Sequence, residues 1–163
     1  MNDVLFDVID SVATVNIDHI PTREDIEELQ KAISLLPQVE SDTEHFFSGG
    51  MYGRKAFRAA GTLIVGKVHK KDHLFICTMG EIMVWTEFGS ITLKAGDVVE
   101  SKAGTKRVTY ALKDSIGMTV HKTDKIDLDE IEAELIEEDL TSLFDSNNKL
   151  KIKPVENNLV AKD

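Results

Sequence analysis

The chain has one cysteine, Cys77, among its 163 residues. A lone thiol excludes an internal disulfide and a cysteine-built zinc cluster, and it predicts a reducing cytoplasm as the protein's home. No apolar run approaches the roughly 18 residues that a spanning helix needs, so no membrane segment is expected. The opening stretch "MNDVLFDVID" carries acids where a secretory leader carries bases, which predicts that no leader is present. No segment recurs at a period of roughly 20–50 residues, which argues against a propeller or solenoid. A Ser-His-Asp order, a P-loop and a paired-carboxylate motif are also missing, so no residue is nominated as catalytic. Aromatics make up 6% of the chain, and at that level Trp85 and Tyr52 read as packing residues rather than a stacking platform.

Charge is present but unevenly placed. Net charge is −10, yet residues 51–122 hold 12 of the 19 Lys and Arg and only 6 of the 29 Asp and Glu. A basic centre therefore sits between acidic flanks. The flanks oppose non-specific nucleic-acid binding and read as solvated faces, while the centre is suited to a small anion.

The length suits one domain with arms. In residues 1–20, Leu5, Val8, Ile9 and Val12 have helical spacing while "ATVNI" reads as a strand. A helix is predicted over 22–36, capped by Thr22 with Asp25 three positions on, striped by Ile26, Leu29, Ile33 and Leu36, and stopped at Pro37. From 45 to 122 the chain becomes short β-rich runs broken at Gly61, Lys70–Asp72, Gly80, Phe88–Gly89, Gly96, Gly104 and Lys113–Ser115. Such spacing predicts an antiparallel sandwich or barrel. An acidic helical segment over 123–145 follows, capped by Asp127, with Leu128, Ile131 and Leu135 on one face. The tail over 146–163 is polar and aperiodic and reads as an extended arm.

Two hairpins organise the candidate site. In "GKVHKKDHLFI" a loop at Lys70–Asp72 would set His69 opposite His73, with His73 sharing a face with Phe75, Cys77 and Met79. A second hairpin centred on Asp114 would set Arg107 opposite His121. There Arg107, Thr109 and Ala111 share one face with Gly117, Thr119 and His121, while Val108, Tyr110 and Leu112 lie with Ile116, Met118 and Val120 on the other. The polar face of that hairpin lines either a polar cavity or the solvent.

The glycine and histidine spacing resembles the cupin pattern, whose first motif reads G-x5-H-x-H-x3,4-E-x6-G. Counting back from Gly80, His73 falls on the Glu position, His69 on the second His and Lys67 on the first. The second motif, G-x5-P-x-G-x2-H, matches Gly96, Gly104 and Arg107, with Lys102 in place of Pro and Arg107 in place of His. The resemblance implies a mainly β, cupin-like jelly-roll barrel over 45–122, flanked by an N-terminal segment (1–44) with one helix and by the C-terminal helix. Two of its four ligand positions are cationic here. A second likeness covers residues 22–140. The series "LLPQVE", "GGMYGRKAF", "AGTLIVGKVHKKDHLF", "AGTKRVTYALKDS", "TVHKT" and "DEIEAELI" is similar to a family of small cupin-like proteins common in tailed-phage genomes. It implies a phage origin without specifying an activity.

Two chemistries compete for these residues. His69, His73 and His121, with Asp72 or Glu100 in reserve, are candidate ligands for a divalent Zn, Fe, Ni or Mn ion. Lys67, Lys106, Arg107 and Tyr110 are candidates for a donor-rich mouth that takes a small anion, with backbone N–H groups of the Gly104–Thr105 turn beside them. The expected function is a phage accessory protein that binds such a ligand or ion in the host cytoplasm, as a homodimer and with no catalysis assigned. A virion structural protein that contacts other phage proteins and a metal-dependent cupin enzyme are the alternatives.

Overall fold

Nested strand pairing defines the architecture. The structure, a computed structural model, describes residues 20–151. Within them α1 (Arg23–Ile33) precedes nine strands: β1 (Thr43–Ser48), β2 (Met51–Arg58), β3 (Leu63–Val65), β4 (His73–Met79), β5 (Glu81–Thr86), β6 (Gly89–Lys94), β7 (Val98–Ser101), β8 (Arg107–Ala111) and β9 (Ser115–Lys122). Helix α2 (Leu128–Leu135) closes the series. One sheet has the order β1-β2-β9-β4-β7 and the other β3-β8-β5-β6. All pairs are antiparallel, and β2 pairs with β9, β3 with β8, β4 with β7 and β5 with β6. A chain folded back on itself as a doubled ribbon and then rolled into two facing sheets gives this nesting, which is a jelly roll.

The topology corrects both expected hairpins. Strands β8 and β9 belong to opposite sheets, so residues 112–114 cross the barrel and Arg107 has no ladder partner in His121. Residues 66–72 likewise leave β3 and cross to β4 in the other sheet. His69 forms its isolated bridge with Ile136 instead of His73. The β4–β5 turn is built on Gly80, at φ 78°. A Cβ there would lie 2.3 Å from the carbonyl oxygen of Asp114, so the crossing chain excludes any side chain.

Each helix covers one surface. Thr22 and Asp25 make the reciprocal capping box of α1. Ile26 is 1% exposed and packs with Trp85 and Val108, joined by Leu29, Leu63, Val65, Met83 and Tyr110. The apolar side of β8 is thus the outer side of its sheet, and α1 shields it. Helix α2 is capped by Asp127 and sets Ile131 and Leu135 against Tyr52. It ends at Leu135, short of the 145 expected. Ile136 is extended, Leu135 O accepts from Lys70 N at 2.8 Å, and Glu137 N donates to Val68 O at 2.9 Å. Pairing with the 68–70 segment thus replaces the next helical turn. Residues 146–150 fold back through Lys149 Nζ and Leu150 N, which both bond to the Glu40 carboxylate. The readings made on residues 1–19 and 152–163 lie outside the described residues.

Inside the barrel, Phe75, Cys77, Ile82, Val84 and Leu93 form the apolar core. Beyond Phe75 the interior becomes polar, and that end holds the site.

Candidate functional site: a histidine triad beside buried arginines

Strand register places the polar lining in rows. Across the five-stranded sheet, Tyr52 pairs with His121, Arg54 with Thr119, Ala56 with Gly117 and Arg58 with Ser115. Phe75 pairs with both Thr119 and Val99, and His73 pairs with Ser101. These residues alternate with Gly53, Lys55 and Phe57, so Tyr52, Arg54, Ala56 and Arg58 share the inward face. From the facing sheet β8 contributes Arg107 and Thr109, both buried.

The three histidines converge. Ring centroids lie 4.1 Å apart for His69 and His73, 4.6 Å for His73 and His121, and 5.0 Å for His69 and His121. Each ring offers a nitrogen, and the three atoms lie within 4.8 Å of one another. Tyr52 stacks on His121 at 5.9 Å, and its hydroxyl meets His45 Nδ1 at 2.8 Å. Tyr52, read from sequence as a packing residue, and His45 are therefore neighbours of the site.

Burial keeps the triad neutral. Desolvation is the largest cause in each case; Arg107 adds to it for all three, and neighbouring imidazoles add to it for His69 and His121. His69 is pushed down to about 2, His121 to about 3 and His73 to about 4. The His73 tautomer follows from its partners. Arg107 Nη2 donates to Nε2 at 3.0 Å, and a guanidinium has no lone pair to accept with, so the proton sits on Nδ1, facing Lys71 O at 3.4 Å. His69 Nδ1 and Ser101 Oγ are buried without a hydrogen-bond partner.

The other predicted residues lie apart. Lys67 turns outward to Glu132 at 2.8 Å and to Phe144 O at 3.2 Å. Lys106 faces a cleft of about 580 Å³ between α1 and residues 137–141, with Nζ 4.0 Å from Asp139 Oδ2. Tyr110 packs under α1. Of the four candidates for an anion mouth, Arg107 alone touches the triad. The Gly104 and Thr105 amides are already bonded, to His69 O at 2.9 Å and Lys102 O at 3.3 Å. Asp72 and Glu100 are exposed and paired to Lys102 at 3.2 and 2.7 Å. Arg54 and Arg58 escaped sequence reasoning, although the alternation of "MYGRKAFR" puts them on the same face as Tyr52.

The donor set fits a metal ion. Three neutral imidazoles suit a divalent first-row ion with open positions, and the orphaned His69 nitrogen lacks any other partner. Coordination by His73 Nε2 requires Arg107 to leave that nitrogen.

The fold is a jelly roll of two facing antiparallel sheets. No protein-family model matches the chain, and no curated protein does. Solved structures similar to it include KdgF from a Halomonas species, at 14% identity over 54% of this chain and 84% of that one, with a TM-score of 0.48. A Klebsiella pneumoniae protein with a double-stranded β-helix domain is 17% identical over 56% of this chain and 84% of that one, TM-score 0.47. A cupin-2 domain protein from Shewanella frigidimarina is 16% identical over 56% of this chain and 89% of that one, TM-score 0.44. These likenesses concern the fold alone. No helix among the described residues is long and apolar enough to cross a membrane.

Proposed function

We propose that the polar end of this cupin-like barrel is a binding centre in which His69, His73 and His121 hold a divalent transition-metal ion. The observation that carries the reading is the convergence of three neutral ring nitrogens within 4.8 Å, one of them on a ring whose Nδ1 has no protein partner. When bound, such an ion supplies an electrophilic centre with open positions for a small ligand. The protein's part is to hold the imidazoles neutral, to orient His73 through Lys71 O, and to exclude bulk water with Tyr52, Ile131 and Leu135.

The resemblance to tailed-phage proteins supports an accessory role in the host cytoplasm, where the barrel sequesters or senses a small molecule. The partner in this reading is a second copy of the chain. The outer side of the five-stranded sheet presents Phe57, Leu74 and Val98, which are 43%, 42% and 54% exposed, an apolar surface suited to an isologous contact.

The test is titration calorimetry with Zn²⁺ and Mn²⁺ on protein stripped with a chelator. One ion per chain is expected, with affinity reduced at least tenfold in His69→Ala and His121→Ala. Absence of a saturable heat, or an unchanged affinity in both variants, overturns the proposal.

A further inference from the structure

Three arginines reach the barrel interior, and among the described residues no acid meets them there. The Arg58 and Arg107 guanidinium carbons lie 5.4 and 5.7 Å from the centroid of the same Phe75 ring. Arg54 sits in the row of Thr119 and Phe75. Gly117 makes room for them, since a Cβ there would lie 3.0 Å from the Phe75 ring and 3.5 Å from Arg58 Cζ.

Their hydrogen bonds are incomplete. Arg58 donates through Nη1 to Thr109 Oγ1 at 3.0 Å, and Arg107 through Nη2 to His73 Nε2 at 3.0 Å. Arg54 Nε and Arg58 Nε are buried and have no partner. Among the described residues no carboxylate lies within ion-pair distance of any of the three. Glu132 acts on Arg54 only at long range, and its carboxylate is engaged by Lys67 at 2.8 Å. Burial and mutual repulsion lower Arg58 to about 10, and burial alone lowers Arg107 to about 10, so both stay charged at neutral pH.

Three confined positive charges without an internal counter-charge are unfavourable, because each has lost hydration and repels the others. Folded proteins avoid this arrangement unless something negative completes it. We infer that Arg54, Arg58 and Arg107 form an oxyanion subsite, adjoining the histidine triad through Arg107, for a ligand bearing a carboxylate or a phosphate. Planar guanidinium groups give paired N–H donors that match the oxygens of either group. Lysines would provide only point charges.

The subsite stands whether or not the triad carries an ion, and its test is run without metal. Chelator-treated protein is titrated at constant ionic strength with inorganic phosphate in one series and with acetate and malonate in another. Binding is followed by calorimetry and by the shift in melting temperature. Saturable 1:1 binding is expected in at least one series, and the series that binds tighter identifies the source of the oxyanion. Arg58→Met is expected to weaken it at least tenfold and to raise the melting temperature of the anion-free protein, because a buried unmatched charge has been removed. Arg58→Lys, which keeps the charge but loses the fork, is the second variant and is expected to weaken binding at least tenfold as well. No saturable binding in either series, or wild-type affinity in both variants, overturns the inference. Either result leaves the metal titration to stand or fall separately.

Discussion

Arg107 donates to Nε2 of His73 at 3.0 Å, linking a buried cation to the lone pair that a metal would use. The two proposed functions of the barrel end therefore meet at one bond. Arg107→Met is expected to release that lone pair, raise the His73 pKa from about 4 toward its usual value, and strengthen binding of Zn²⁺. Nitrogen-detected NMR of the imidazoles, followed with pH, reads both the tautomer and the shift. A His73 that carries its proton on Nε2 in the wild type would contradict the assignment.

Stability should fall on the acid side of neutrality. The triad is neutral when folded, with pKa values depressed to about 2, 3 and 4, and protonates near 6.5 when unfolded. The unfolded chain thus binds more protons below about pH 6.5, so stability present above that pH is lost as the pH drops toward 4. At pH 5 the loss is about 2 kcal/mol for each histidine. Urea denaturation at pH 7.5 and 5 should show it, and His121→Gln should flatten the slope by about that amount. A slope that this variant leaves unchanged would show that the ring is not held neutral.

Much of the fold was legible in the sequence, because turn glycines and period-two alternation are local signals. The capping box at Thr22 and Asp25, the cap at Asp127 and the breaks at Gly80, Gly96 and Gly104 stand where the sequence reading put them. The long-range pairings were not legible. Alternation shows which residues share a face but not which strand crosses to which sheet, so β8 and β9 read as a hairpin when they are joined across the barrel. The orientation of β8 was hidden for a related reason. Its apolar side faces α1 and its polar side faces inward, the reverse of a simple barrel wall. That reversal brings Arg107 to the histidines and leaves Lys106 and Tyr110 outside. His69, His73 and His121 were found because imidazoles are rare and chemically distinctive, whereas Arg54 and Arg58 were lost among the basic residues of the central segment.

Tyr52 separates packing from polar contributions. It is 5% exposed, touches Ile131 and Leu135, and bonds His45 through its hydroxyl. Tyr52→Phe removes only the bond and should cost about 1 kcal/mol. Tyr52→Ala also opens a cavity beneath α2 and should cost about 3–5 kcal/mol. Chemical denaturation of both variants checks the ordering, and equal losses would mean that α2 does not rest on this ring.

Gly80 carries the β4–β5 turn. Gly80→Ala forces a Cβ to within 2.3 Å of Asp114 O at a positive φ, so a loss of more than about 3 kcal/mol is expected. By contrast, Gly96→Ala, at φ 99° with open space around it, incurs only the backbone strain, about 1–2 kcal/mol. Melting curves that rank Gly96→Ala as the more damaging would contradict the crossing of residues 112–114 behind the turn.

The central claim is that His69, His73 and His121 form one metal-binding centre. Anomalous diffraction from crystals of metal-loaded protein, recorded on both sides of the zinc absorption edge, tests it most directly. One strong peak per chain is expected, about 2.0–2.1 Å from a ring nitrogen of each of the three histidines, with the Arg107 guanidinium withdrawn from His73 Nε2. A fully loaded crystal whose only peaks lie at the surface, with Arg107 still bonded to His73, would contradict it.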